Sequence, residues 1–435
     1  MPASALLTRT HLGSVPGATT GNRRLTLASS AGYYRYDFSS EIWAPRMNLR
    51  LTAAQEQLRG EVRAFLQEHC PAPAEIPHEL DARMAFLRDW QRRCYEAGYV
   101  GRAWPSEFGG GGRPPVEQII VDEELAAAGA PEFPNIVGLD VIGPSLLAFG
   151  TDEQRRRYVP PILSAQEVWC QGFSEPEAGS DLGSLRAQAT DRDGDFLVSG
   201  AKTWTSWGQY ARWCGVLART EPPETRHKGI SFLIVDMEAP GVEVRPMTQI
   251  TGHAEFSELF LDEVVVPAEN LLGARGQGWA IALHTLAHER GTAALPRQVK
   301  LRTWVDRLVA DARTRTIDGR PIAEREDVQV ALARALVAVE VLRHHASRTV
   351  GRFLNGEAVG PASSSVKLVM SEAEQTAAAT ALDVLGESLL APEADADNAH
   401  WYETYLFSRT ATVLGGTQQI QRNIVADRIL RLPQE

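Results

Sequence analysis

Phe173-Ser174-Glu175-Pro176-Glu177-Ala178-Gly179-Ser180-Asp181, with Lys202-Thr203-Trp204-Thr205-Ser206 a short interval later, is the stretch on which the reading of this chain turns. Small and hydroxyl residues around Gly179 let the backbone approach a ligand closely and offer N–H and O–H donors to a heterocycle edge or a pyrophosphate. Trp204 offers a flat face for stacking. Alone, Trp204 and Ser206 would read as an ordinary strand with an aromatic in the core. Together with Ser174-Glu175 and Gly179-Ser180-Asp181 they make a wall that a planar ligand would fit.

Working outward, the region from Val168 to Leu272 has short β-branched and aromatic runs, such as Phe196-Leu197-Val198 and Ile230-Ser231-Phe232-Leu233-Ile234-Val235, separated by turn residues. This is a β domain, with Asp193-Gly194-Asp195 as a hairpin signal and Pro267 as a stop. On its N-terminal side, Thr52 caps a helix whose apolar residues recur through Val62, Phe65 and Leu66. Helical texture continues through Leu87, Trp90 and Tyr95, breaks at Trp104 to Gly112, and resumes from Val116 to Ala128. The four glycines Gly109 to Gly112 read as a mobile surface loop or as the lining of a substrate mouth. After Gly273 the periodicity predicts helices over Trp279–Ala294, Gln298–Arg313, Val328–Leu354, Ser363–Leu385 and Thr404–Ile429, which need one another to bury their apolar stripes.

At 435 residues the chain exceeds one ordinary core, and its 44% apolar content is ample for two or three. A formal charge of -11 argues against a nucleic-acid partner. Cys70, Cys94, Cys170 and Cys214 form no CxxC pair, which suits core thiols in a reducing compartment, so the expected location is the cytoplasm. No apolar run is long enough to span a bilayer. Residues 1–46 carry arginines but no acidic residue before Asp37, a bias shared by transit peptides and by extensions expected to be disordered; the second reading is preferred here.

The two opening segments resemble the signature of acyl-CoA dehydrogenases, and the resemblance runs in the family's order and spacing from about Met47 to the C-terminus. It implies a multidomain α+β fold: an N-terminal all-α domain over 47–165, a small middle β domain over 166–272 and a C-terminal helical bundle over 273–435. It implies FAD as cofactor and no metal. Gln171, Phe173, Ser174, Gly179 and Ser180 would run along the flavin, with Trp204 and Thr205 over the ring and Ser206 at the N5 edge.

Leu414-Gly415-Gly416-Thr417-Gln418-Gln419 resembles the family's closing motif, whose common form has a Glu where Gly415 stands. His288-Glu289-Arg290 places Glu289 where the isovaleryl-CoA and long-chain members carry their base instead. The resemblance thus makes Glu289 the base that takes the α-proton and Gly415 N–H a donor to the thioester oxygen. It places Thr417, Gln419 and Arg315 at the cofactor, and Ser180, Arg290 and Gly416 at the substrate. An arbitrary Glu beside an Arg would simply be an exposed helix residue. His284 and His288 share a helix face, but no third ligand pattern accompanies them. Gly276-Gln277-Gly278 reads as a domain junction.

Two departures from the family pattern, at Arg315-Thr316-Ile317-Asp318-Gly319 and Asp383-Val384-Leu385-Gly386-Glu387, fall where the site reaches across a subunit interface. They leave open a homo-tetramer or homodimer and a heteromer with a related subunit. The expected reaction is α,β-dehydrogenation of an acyl-CoA, or of an acyl carrier protein thioester, with electrons passed to an electron-transfer flavoprotein. A flavin oxidase or monooxygenase on the same fold, and a non-catalytic partner subunit, are the alternatives.

Overall fold

The computed structural model describes residues 51–292, 294–354, 360–386, 389 and 396–433, together with two short paired segments near the N-terminus. Those segments, β1 (Thr26–Ser29) and β2 (Gly32–Arg35), form an antiparallel hairpin in a unit of their own. They fall within the extension expected over 1–46, the rest of which lies outside the described residues.

Five helices come first: α1 (Ala53–His69), α2 (Leu80–Glu96), α3 (Pro115–Ala127), α4 (Gly143–Phe149) and α5 (Asp152–Leu163). Thr52 starts α1 through a capping box with Gln55, satisfying donors that the first turn leaves orphaned. The fully buried Asn135 fastens this domain to the sheet: its amide donates to Ile162 and Glu167 carbonyls, each at 3.0 Å, and its Oδ1 accepts from Trp169 N–H at 2.8 Å. The Gly109–Gly112 segment is tied down by hydrogen bonds. Gly111 N–H bonds Gly101 O, Gly112 N–H bonds Trp104 O, and Tyr95 Oη donates to Gly109 O.

The sheet has eight strands: β3 (Trp169–Gly172), β4 (Gln188–Arg192), β5 (Asp195–Ser206), β6 (Trp213–Arg219), β7 (Ile230–Asp236), β8 (Val242–Met247), β9 (Phe256–Val266) and β10 (Leu271–Leu272). Their order is β10-β7-β6-β4-β5-β9-β8, with β3 lying parallel to β6 in the register Trp169↔Trp213 to Gly172↔Val216. Asp193 and Gly194, both at positive φ, make the tight β4–β5 turn. One sheet face shares a core with the N-terminal helices and the next helix, through Trp90, Ile142, Trp169, Phe232 and Ile281; the other face has its own core of Val198, Val216, Val235 and Leu259.

Helix α6 (Gly278–Thr292) leaves the sheet close against β7, where Gly276 N–H donates to Ser231 Oγ and a Cβ on Gly278 would collide with Ser231 backbone. A buried hydroxyl pair, Ser145 Oγ and Thr285 Oγ1 at 2.6 Å, ties α6 to α4. The bundle continues with α7 (Ala294–Thr314), a small hairpin of β11 (Thr316–Ile317) and β12 (Arg320–Pro321), α8 (Glu326–Leu354) and α9 (Ala362–Leu385). The single helix expected over Thr404–Ile429 is corrected to two, α10 (Ala396–Ser408) and α11 (Gln418–Ile424). Gly415 and Gly416 lie between them at φ 62° and 96°, conformations that end a helix and that side chains disfavour.

Candidate active site

The two segments quoted first are brought together by hydrogen bonds. Thr203 N–H donates to Ser174 O at 2.9 Å, so the chain beyond β3 runs beside the end of β5. Lys202 Nζ donates to Phe173 O at 3.3 Å and to Glu175 Oε1 at 2.7 Å. Glu175 in turn accepts Arg186 N–H at 2.6 Å and Ala187 N–H at 2.9 Å, and Glu175 and Ala178 exchange backbone bonds across a tight loop. The ion pair is interior, with the Lys202 side chain 0% and the Glu175 side chain 7% exposed.

Burial pushes the Glu175 carboxyl upward, but Lys202 and the two backbone N–H groups outweigh it and leave the group below its ordinary value. Burial holds the Lys202 ammonium below its ordinary value, with Glu175 opposing that shift.

This pair was within reach of sequence reasoning and was not read from it. Phe196, Val198, Gly200 and Lys202 alternate at period two, so the lysine falls on a face that two of its predecessors bury. A cation in that place requires a partner anion.

At the end of β5 the pairing with β9 slips between Lys202 and Thr205. The bulge puts Trp204 at φ 59° and turns its indole outward, 57% exposed and edge-on to Phe256 at 5.9 Å. Trp204 thus presents a face to solvent and not to the core. Thr205 is buried, and its Oγ1 has no hydrogen-bond partner among the described residues; the same holds for Gln171 Oε1 on β3. Buried polar atoms without partners are uncommon and call for a reason. Gly179 and Ser180 are exposed, with open space where a Gly179 Cβ would stand. Phe173 is buried, edge-on to Phe232. Ser206 is half-buried and sits opposite Phe256.

A second group gathers at the end of the bundle. Thr417 caps α11 by accepting Ile420 N–H at 3.3 Å, and Gln421 Nε2 donates to both Gly415 O and Gly416 O at 3.2 Å. Gln419 is exposed on the first turn of α11. The turn rests on α9, through Lys367 Nζ to Ala411 O and Gln375 Nε2 to Ser408 O.

Glu289 and Arg290 lie on α6, beginning one turn beyond Thr285; their side chains are outside the described residues, as is that of His288. His284 packs edge-on against Phe149 at 5.2 Å. Arg315 connects α7 to the β11–β12 hairpin, and its backbone carbonyl accepts Ile322 N–H at 2.9 Å. No described group of three or more His, Cys, Asp or Glu could hold a metal ion, and no described helix is long and apolar enough to cross a membrane.

Three family models match the chain in order: the acyl-CoA dehydrogenase N-terminal domain over residues 52–166, the middle domain over 170–264 and the C-terminal domain over 276–430. Acyl-CoA dehydrogenase IpdE1 of Mycobacterium tuberculosis is 41% identical over 391 residues, covering 87% of this chain and 98% of that protein. The ChsE4-ChsE5 complex of Mycobacterium tuberculosis matches with a TM-score of 0.77 at 28% identity, covering 89% of this chain and 100% of the matched chain. A steroid ACAD, Tcur3481-Tcur3483, gives the same values. The helical, sheet and helical parts described above are thus the three parts of one enzyme family, and this chain belongs to the acyl-CoA dehydrogenases.

Proposed function

We propose that the chain catalyses FAD-dependent α,β-dehydrogenation of an acyl-CoA thioester, with Glu289 as the base. One observation carries the cofactor part of this reading: on a wall assembled from β3 and β5 the Trp204 indole faces outward, and Gln171 Oε1 and Thr205 Oγ1 are buried without partners among the described residues. Two unspent polar atoms and a flat apolar face fit the edge and plane of a heterocycle. Gln171, Phe173, Ser174, Gly179, Ser180, Trp204, Thr205 and Ser206 would hold the flavin ring, with Thr417, Gln419 and Arg315 toward its dinucleotide end. A bound flavin supplies the hydride acceptor that no side chain provides.

The residues of the chain do the rest. The Glu289 carboxylate takes the proton from the carbon next to the thioester carbonyl. Gly415 N–H stabilises the carbonyl oxygen as negative charge develops there. With a glycine at 415 the closing turn cannot supply a carboxylate, so the base has to come from another element, and α6 carries one.

Similarity to a steroid ACAD and to the ChsE4-ChsE5 complex supports a bulky, ring-bearing acyl group and an assembly with a related second subunit. An apolar face on α8 supports the assembly independently. Val330, Val337 and Val341 are 42%, 62% and 42% exposed at positions that recur on one side of the helix. Electrons would pass to an electron-transfer flavoprotein.

Anaerobic titration of the purified protein with straight, branched and ring-bearing acyl-CoA thioesters tests the reading by the flavin's visible absorption. The expected result is bleaching by wild type and a rate lower by about 10²–10⁴-fold in Glu289→Gln. A flavin that every thioester leaves unbleached, or a mutant as fast as wild type, would overturn it. Peroxide formed in air during turnover would identify an oxidase instead.

A further inference from the structure

We propose that the buried Glu175–Lys202 pair is a positioning element for the cofactor wall, fixing the register of its two segments so that Trp204 faces out and Thr205 faces in. The proposal rests on the flavin reading above and assigns a role to two residues that do not themselves touch the ring.

The bonds of the pair all run between pieces of the wall. Lys202, on β5, reaches Phe173 O and Glu175 on the segment that follows β3. Glu175 holds the N–H groups of Arg186 and Ala187, where the chain returns toward β4. The lysine stem passes over Gly172, where an added Cβ would stand 3.2 Å from Lys202 Cγ and 3.3 Å from Cys214 Sγ. Lys202 is thus flanked by β3 and held by the carboxylate, with its side chain 0% exposed.

This matters because of the bulge that follows. Between Lys202 and Thr205 the β5–β9 register slips, Trp204 turns out and Thr205 turns in. Side chains alternate along a strand, so a slip of one residue would exchange them, burying the indole and exposing the hydroxyl. Backbone pairing alone specifies register weakly at a bulge. An ammonium paired with a carboxylate on the neighbouring segment specifies it by direction. A buried ion pair generally gains little stability over apolar side chains of similar volume, so orientation is the property that distinguishes it from a hydrophobic plug.

The test compares wild type, Lys202→Met, the double variant Glu175→Gln/Lys202→Met, and Gly172→Ala, each freed of flavin and then titrated with FAD. Melting of the apoprotein, FAD affinity and the flavin midpoint potential are read together. For the double variant we expect an apoprotein that melts closer to wild type than Lys202→Met alone, yet binds FAD at least tenfold more weakly, with a shifted midpoint potential. A purely structural role would restore affinity along with melting temperature, and that result would overturn the proposal. Gly172→Ala presses on the lysine stem and keeps both charges, so it decides the matter if the charge variants do not fold. It should weaken FAD binding several-fold with little change in melting, and unchanged affinity would overturn the proposal. A wild-type apoprotein that takes up no FAD would instead bring down the flavin assignment itself.

Discussion

The wall between β3 and β5 and the glycine turn before α11 are both assigned to the same reaction, and they are built in opposite ways. The wall is held by contacts distant in sequence: Glu175 with Lys202, Ser174 with Thr203, Asn135 with Trp169. The turn is held locally, by two left-handed glycines, the Thr417 cap and the reach of Gln421 back to Gly415 and Gly416. Damage to the wall should therefore spread through the sheet, whereas damage to the turn should stay where it is made.

The largest expected effect is that of Lys202→Met. It leaves the Glu175 carboxylate buried without its cation, and thermal or denaturant unfolding should show a loss of about 3–5 kcal/mol. Loss of less than about 1 kcal/mol would mean that the wall is no more cooperative than the turn.

Asp122 on α3 provides the contrasting case of an enclosed carboxylate hydrogen-bonded by a neutral amide. The Gln118 amide donates to it at 2.8 Å, and burial pushes its pKa up from 3.8 to about 7. A carboxyl raised on folding binds more protons in the native state, so its contribution to stability falls as pH rises from about 4 to about 7. Asp122→Asn should match wild type near pH 4 and exceed it by about 1–3 kcal/mol at pH 8, discounted for the partial exposure of the site. Unfolding curves across that range would check the sign. Parallel curves would show that enclosure alone does not separate Asp122 from Glu175.

For the turn, Gly416→Ala forces a side chain to φ 96° and should cost about 1–3 kcal/mol. By the local construction of the turn, hydrogen exchange should change around α11 and not in the sheet. Protection lost in β5 would break the contrast between the two regions. The smallest effect on stability belongs to Trp204→Gly. Glycine accepts φ 59° readily and the indole is largely exposed, so melting should stay within about 1 kcal/mol of wild type while FAD affinity falls. A large loss of stability would mean that Trp204 supports the sheet.

The same contrast explains what could be read from the chain. Local signals were legible: the Thr52 cap, the Asp193-Gly194 turn, the long helices and the two wall segments are all written in neighbouring residues. The Thr404–Ile429 helix was misread because apolar periodicity continues through Leu414 and Ile420, while two adjacent glycines decide the backbone between them. For Gly109 to Gly112 the local signal is incomplete, since a glycine run looks free until the Gly101 and Trp104 carbonyls that accept its N–H groups are seen. The Glu175–Lys202 pair needed long-range pairing that periodicity hints at but cannot specify. For Glu289 the structure contributes the helix and the turn, and its role rests on the family pattern together with the glycine at 415.

The order of strands along the chain has a consequence for synthesis. Every strand of the eight-stranded sheet, including both sides of the wall, lies at or before Leu272. Helix α6 and the closing turn follow it. Domains of a growing chain fold as units from the N-terminal end. The whole wall, with its buried charge pair and its outward tryptophan, is thus encoded ahead of the bundle, so the sheet needs no residue of the bundle to complete its strand pairing.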